Sequence, residues 1–255
     1  MILVALLAAA AVVDAPICPD RPGKGNGTCT VPEGHFQLET GFADWTRDTS
    51  EGRRSDLILW GSSFVKYGLG DSSDVELGFT PLETLRVSGG GEHDSASGFG
   101  DVALRFKHRL TSEASSVQAA VIPFVKLPTA SRALGNGKFE GGLAVPLNAA
   151  LGSSGVTLTL GPELDLRPDG DGHGYHVAMA QVATFGLAVS SRLSLSAELW
   201  SGRDWDPVAT TSQVSADASA AYLVADDLQV DTGANFGLNR ETPDVEFYAG
   251  VSKRF

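Results

Sequence analysis

The chain of 255 residues has no apolar run of 18 or more residues, so it cannot cross a membrane as a bundle of hydrophobic helices. It holds only two cysteines and five histidines, which offer no Cys/His ligand set, and neither a metal nor a cofactor is expected. Positive charge is scarce. Against 31 Asp and Glu there are 19 Lys and Arg, a formal charge of −12, which argues against nucleic acid as a partner.

What is present divides the chain into three parts. Residues 2–13 are apolar but too short to span a bilayer, and they read as the core of a signal peptide covering 1–15. No Lys or Arg precedes them and Pro16 follows Ala15 directly, so the cleavage position stays open. Residues 16–34 form a periplasmic leader rich in Pro and Gly that cannot be helical. Export to an oxidising compartment makes a disulfide between Cys18 and Cys29 the expected state of this leader.

From residue 35 to 255 apolar and polar side chains alternate with a period of two, the mark of strands with one apolar and one wet face. In the last strand Val245, Phe247, Ala249, Val251 and Phe255 oppose Glu246, Tyr248, Gly250, Ser252 and Arg254. Twelve segments follow the pattern: 35–46, 54–67, 73–85, 98–110, 116–128, 138–149, 155–167, 175–189, 192–202, 212–224, 227–238 and 244–255. Connectors alternate between short ones (68–72, 150–154, 190–191, 225–226) and longer ones (47–53, 86–97, 129–137, 168–174, 203–211). The links at 111–115 and 239–243 fit this alternation less well. A soluble sandwich also alternates. The even strand count, the alternating connectors and the terminal aromatic favour a different all-β fold: a transmembrane antiparallel up-and-down β-barrel of about twelve strands in the bacterial outer membrane. Its expected partners are outer-membrane lipid and the barrel-assembly machinery, with Phe255 as the assembly signal pairing near residue 36. Pro123, Pro146 and Pro162 fall inside strands, and each removes a ladder donor.

Parity puts a charged set inside. The bases Lys66, Arg105, Lys107 and Lys126 gather on the second, fourth and fifth strands, and the acids Glu163, Glu198, Asp217 and Asp231 on the seventh to eleventh. Asp56 shares this inward parity. Across an open lumen these charges would select solutes, whereas in direct pairs they would hold a filled barrel shut. No catalytic set emerges: His108 lies near a strand end, and His93 sits in a Gly-rich loop without a nucleophile–base pair. The run Asp169-Gly170-Asp171-Gly172-His173 echoes a calcium loop but lacks its closing acid, because position twelve is Ala180, and it reads as a surface hairpin. Trp45, Trp60, Trp200, Trp205, Tyr67, Tyr222 and Tyr248 sit mostly near strand ends, as interface girdles or as ordinary strand aromatics.

Local segments carry a resemblance. They are Arg21-Pro22-Gly23-Lys24 with Cys29-Thr30-Val31-Pro32, His35-Phe36-Gln37-Leu38-Glu39, Ala43-Asp44-Trp45-Thr46, Gly98-Phe99-Gly100-Asp101-Val102, and the closing stretch from Gly237-Leu238-Asn239 to Phe255. Together they resemble the family named after the MetA-pathway of phenol degradation, over most of residues 20–255. The resemblance implies an outer-membrane barrel acting as a passive channel or transporter for small molecules, with aromatic and hydrophobic solutes as candidate cargo. It supplies no catalytic motif, so no enzyme is expected. The alternative is a structural or surface-interaction barrel with a plugged lumen.

Overall fold

The computed structural model describes residues 16–255 except Glu51 and Ser154, so the expected signal peptide at 1–15 lies outside the described residues. Twelve strands form one sheet. They are β1 (Phe36–Gly41 and Ala43–Ser50), β2 (Arg53–Trp60 and Ser63–Gly70), β3 (Ser73–Phe79 and Leu82–Gly89), β4 (Glu92–Gly98 and Val102–Arg109), β5 (Val117–Leu127) and β6 (Glu140–Ala144 and Leu147–Ala150). The remainder are β7 (Val156–Pro168), β8 (Tyr175–Ala188), β9 (Leu193–Asp204), β10 (Thr211–Ala225), β11 (Leu228–Gly237) and β12 (Val245–Arg254). Each pairs antiparallel with its sequence neighbours. The sheet closes where β12 meets β1, from Gln37 opposite Arg254 to Phe247 opposite Trp45. Among the described residues there is no helix.

Closure follows from the alternation. Every strand presents one row of apolar side chains outward: Leu160, Leu164 and Leu166 on β7, Val230 and Phe236 on β11, and Phe247 on β12 are all exposed. The intervening residues Asp165, Gln229, Asp231, Asn235, Tyr248 and Ser252 are buried inside. An apolar outer wall with no open edge is the arrangement that satisfies every backbone group in hydrocarbon, and the barrel is a bacterial outer-membrane protein. Both ends of the barrel lie on one rim, with Phe255 and Phe36 joined by reciprocal backbone hydrogen bonds of 2.7 and 3.3 Å. The connectors at 71–72, 110–116, 151–155, 189–192 and 226–227 share that rim, which is the periplasmic one.

Three sequence expectations change. The loops expected at 47–53 and 86–97 are tight turns, because β1–β2 and β3–β4 stay paired out to Ser50–Arg53 and Gly89–Glu92. Above the apolar layer a ladder needs no apolar side chains, and the left-handed Gly90 (φ 61°) and Gly91 (φ 89°) close the second turn. The long β8 runs unbroken from Tyr175 to Ala188, whereas the segments of β1–β4 and β6, expected to be continuous, carry interruptions. Pro81 and Pro146 cause two of these, since neither can donate to a ladder. Finally, Asp56 faces outward. The break at residues 61–62 shifts the parity of β2 by one position, which moves every side chain beyond it to the opposite face. Asp56 therefore joins Arg47 (2.8 Å), Arg54 (3.1 Å) and the Trp45 indole (3.1 Å) near the extracellular rim.

Candidate functional site

The leader sits within the barrel. Ile17 donates its N–H to Asp226 O at the periplasmic rim (2.6 Å), and from there the chain meets the inner wall. Cys18 and Cys29 are bonded, with Cα atoms 6.3 Å apart, so the charged residues Asp20, Arg21 and Lys24 ride on one covalently closed loop. The segment returns past Val31, whose N–H donates to Asp74 (2.8 Å), and bridges in parallel to Gly68 on β2. Only glycine fits there, because a Cβ on Gly68 would stand 2.0 Å from Pro32 O.

The loop matches the barrel charge for charge. On one wall the Asp20 carboxylate receives Lys66 (2.6 Å), Lys107 (2.6 Å) and Arg105 (3.5 Å). Glu39 on β1 and Glu76 on β3, the strands flanking β2, share the same cations: Lys66 to Glu39 is 2.5 Å and Arg105 to Glu76 is 2.8 Å. On the opposite wall Arg21 pairs with Asp231 (3.0 Å) and lies over the Tyr248 ring, 5.8 Å from its centroid. Lys24 reaches Asp217 (3.3 Å) and Ser215 (2.9 Å), while its backbone N–H donates to Glu198 (2.9 Å). Gly23, at φ 96°, permits this approach, since a Cβ would fall 2.5 Å from Glu198 Oε1.

This packing excludes water. Lys66 and Lys107 point into the lumen and yet are each only 1% exposed. Burial alone would raise the Asp20 carboxyl, but Lys107, Lys66 and Arg105 outweigh it and hold the group well below the usual carboxylate range. A charge buried without such partners would cost several kcal/mol, which is why leader and wall must dock together.

The segregation of inward-facing bases and acids read from parity is present, but the two sets do not pair directly across the lumen. Lys66, Arg105 and Lys107 meet Asp20, whereas Glu198, Asp217 and Asp231 meet Lys24 and Arg21. Lys126 stands apart from the leader, paired with Asp101 and Glu140 beside its own strand. Glu163 lies two positions from Asp165 on β7, near enough to Arg105 for their charges to interact. The sequence places Trp200 and Tyr248 among the candidate girdle aromatics. Both are instead seats for the leader's cations, and their parity opposite Leu199 and Phe247 was the available signal.

The disulfide limits the freedom of the undocked loop. Opening an 11-residue separation by Cys18→Ser with Cys29→Ser is expected to weaken docking by about 2–3 kcal/mol. Faster tryptic cleavage after Lys24 would register the loss, and an unchanged rate would show that the bond does not help docking.

A 16% identical outer-membrane channel from Pseudomonas putida F1 superposes with a TM-score of 0.71, covering 92% of this chain and 99% of that one. The NanC porin is similar at 7% identity and TM-score 0.53, over 86% of this chain and 98% of its own. The translocator domain of the autotransporter NalP from Neisseria meningitidis follows at 12% identity and 0.52, over 88% and 90%. At these identities the likeness is one of fold. No curated protein matches the sequence. Residues 19–255 match a family profile that takes in the barrel and all but the first three described residues of the leader, and the chain belongs to the family described as "Putative MetA-pathway of phenol degradation".

Proposed function

We propose that the protein is a passive outer-membrane channel for small solutes, held closed by its own N-terminal leader. The observation that carries this reading is the burial of lumen-facing Lys66 and Lys107 beneath Asp20. A barrel needing only structural filling could use apolar side chains at no desolvation cost, whereas a charge-matched plug can leave and leave behind a polar, water-wettable wall. Similarity to an outer-membrane channel and to a porin supports the same reading.

The plugged structural barrel is the second reading, favoured by the number of leader contacts. Among the described residues, Ser73 Oγ lies 2.8 Å from His108 Nδ1 on the outer face, the geometry an enzyme reading would draw on. A strand pair whose backbone N–H groups serve the ladder offers no obvious oxyanion site, and we read this contact as rim packing.

Proteoliposome swelling tests the proposal. Wild-type protein is expected to admit small neutral solutes slowly. A full-length variant with Asp20→Lys, Arg21→Glu and Lys24→Glu, which repels the leader from both walls, is expected to admit them fast, with a cut-off as solute size rises. A folded triple variant that admits none would favour the structural barrel.

A further inference from the structure

Beyond the leader's tip, between β9, β10, β11 and β12, lies a cavity of about 210 Å³ bordered by Lys24, Trp200, Ser215, Asn235 and Glu246. The Lys24 side chain enters it as a guest. Its ammonium stands 2.9 Å from Ser215 Oγ, 3.3 Å from Asp217 Oδ2 and 5.2 Å from the Trp200 ring centroid. Every host group comes from the barrel: an aromatic face, a hydroxyl and a carboxylate, the chemistry that receives an alkylammonium. Ser215 and Asp217 are 1% and 5% exposed, so the host is built into the wall.

A second observation points to a ligand. Asn235 is 6% exposed and borders the same cavity. Its amide nitrogen donates to Glu246 Oε2 at 2.7 Å, which orients the amide, and its buried Oδ1 has no protein donor. A buried acceptor without a donor is costly. With Glu246 beside it, this corner lacks a hydrogen-bond donor, and a positively charged one suits it best.

We propose that this cavity is a binding site for a small organic ammonium solute, and that Lys24 is the built-in occupant such a solute displaces. The ammonium takes the place of Lys24 between Trp200, Ser215 and Asp217, and a second donor on the solute meets Asn235 Oδ1 and Glu246. Anions are repelled by the three carboxylates Glu198, Asp217 and Glu246. Displacement removes one of the loop's three charged anchors and so loosens the leader. The site does not depend on the barrel conducting, and its test reads binding rather than flux.

Full-length Lys24→Ala protein vacates the host, and n-propylammonium replaces the atoms removed. Calorimetry in detergent is expected to show saturable binding of n-propylammonium and none of 1-propanol, its uncharged counterpart. Adding Asp217→Asn should weaken binding by about tenfold or more, and adding Trp200→Leu by about threefold to tenfold. The wild-type chain supplies a second readout, in which n-propylammonium but not 1-propanol accelerates tryptic cleavage after Lys24. Equal binding of both probes, no binding by heat-modifiable Lys24→Ala barrel, undiminished binding after Asp217→Asn, or an unaltered wild-type cleavage rate would each overturn the proposal.

Discussion

Replacing Asp20 by Ala is expected to expel the leader from the lumen. The carboxylate is the shared partner of Lys66, Lys107 and Arg105, at 2.6, 2.6 and 3.5 Å. Removing one member of a buried ionic network leaves Lys66, Lys107 and Arg105 short of a counter-charge, with Glu39 and Glu76 as their remaining partners, at a cost of about 3–5 kcal/mol, which shifts docking by roughly two to four orders of magnitude. The undocked state relieves this cost, because water then reaches Lys66 and Lys107. Tryptic cleavage after Lys24 should become fast in Asp20→Ala, and the ionic conductance of the protein should rise. A cleavage rate equal to wild type would refute Asp20 as the anchor. The effect of acid has a defined sign. The docked carboxyl titrates below its free value, so its contribution is complete above the ordinary carboxylate range and fades only as pH falls below it. The wild-type leader should therefore stay protected at pH 5 to 6, a window in which release would contradict this arrangement.

Deleting Phe255 is expected to reduce inserted, heat-modifiable barrel several-fold. The residue closes the seam through its backbone pair with Phe36, and its side chain is 67% exposed on the outer wall. Without it the N–H and C=O of Phe36 lose their partners where the barrel must close, and an open edge at the margin of the apolar layer is costly. A terminal aromatic facing lipid also suits recognition by the barrel-assembly machinery, which we propose as its partner. Phe255→Ala separates the two roles: it keeps the backbone pair and should fall between wild type and the deletion. Normal insertion of the deleted chain would end both.

The barrel was legible because a period of two is a local property. Val230 and Phe236 against Asp231 and Asn235 state the inner and outer faces of β11 without knowledge of its neighbours. Parity fails where the backbone breaks register. Nothing in Gly61-Ser62 alone announces that Asp56 turns outward. The seat of the leader was also hidden. Residues 16–34 have no periodicity, and Arg21 finds Asp231 more than two hundred positions away. One clue was available: bases cluster on early strands, acids on late ones, and the leader carries both signs within Asp20, Arg21 and Lys24. That composition is consistent with a linker bridging two charged walls, but distance in sequence cannot say that it does so. Lys126 is the counterexample, a lumen-parity base whose partners Asp101 and Glu140 are local.

Single-channel recording in planar bilayers tests the central claim most directly, comparing wild-type protein with the full-length triple variant Asp20→Lys, Arg21→Glu, Lys24→Glu. With the leader closing the lumen, wild type should show a low conductance with rare openings, and the variant a steady open level about tenfold higher or more, as expected when a packed charged constriction becomes water-filled. Equal conductance of two correctly folded proteins, whether both open or both silent, would contradict the leader as the closing element.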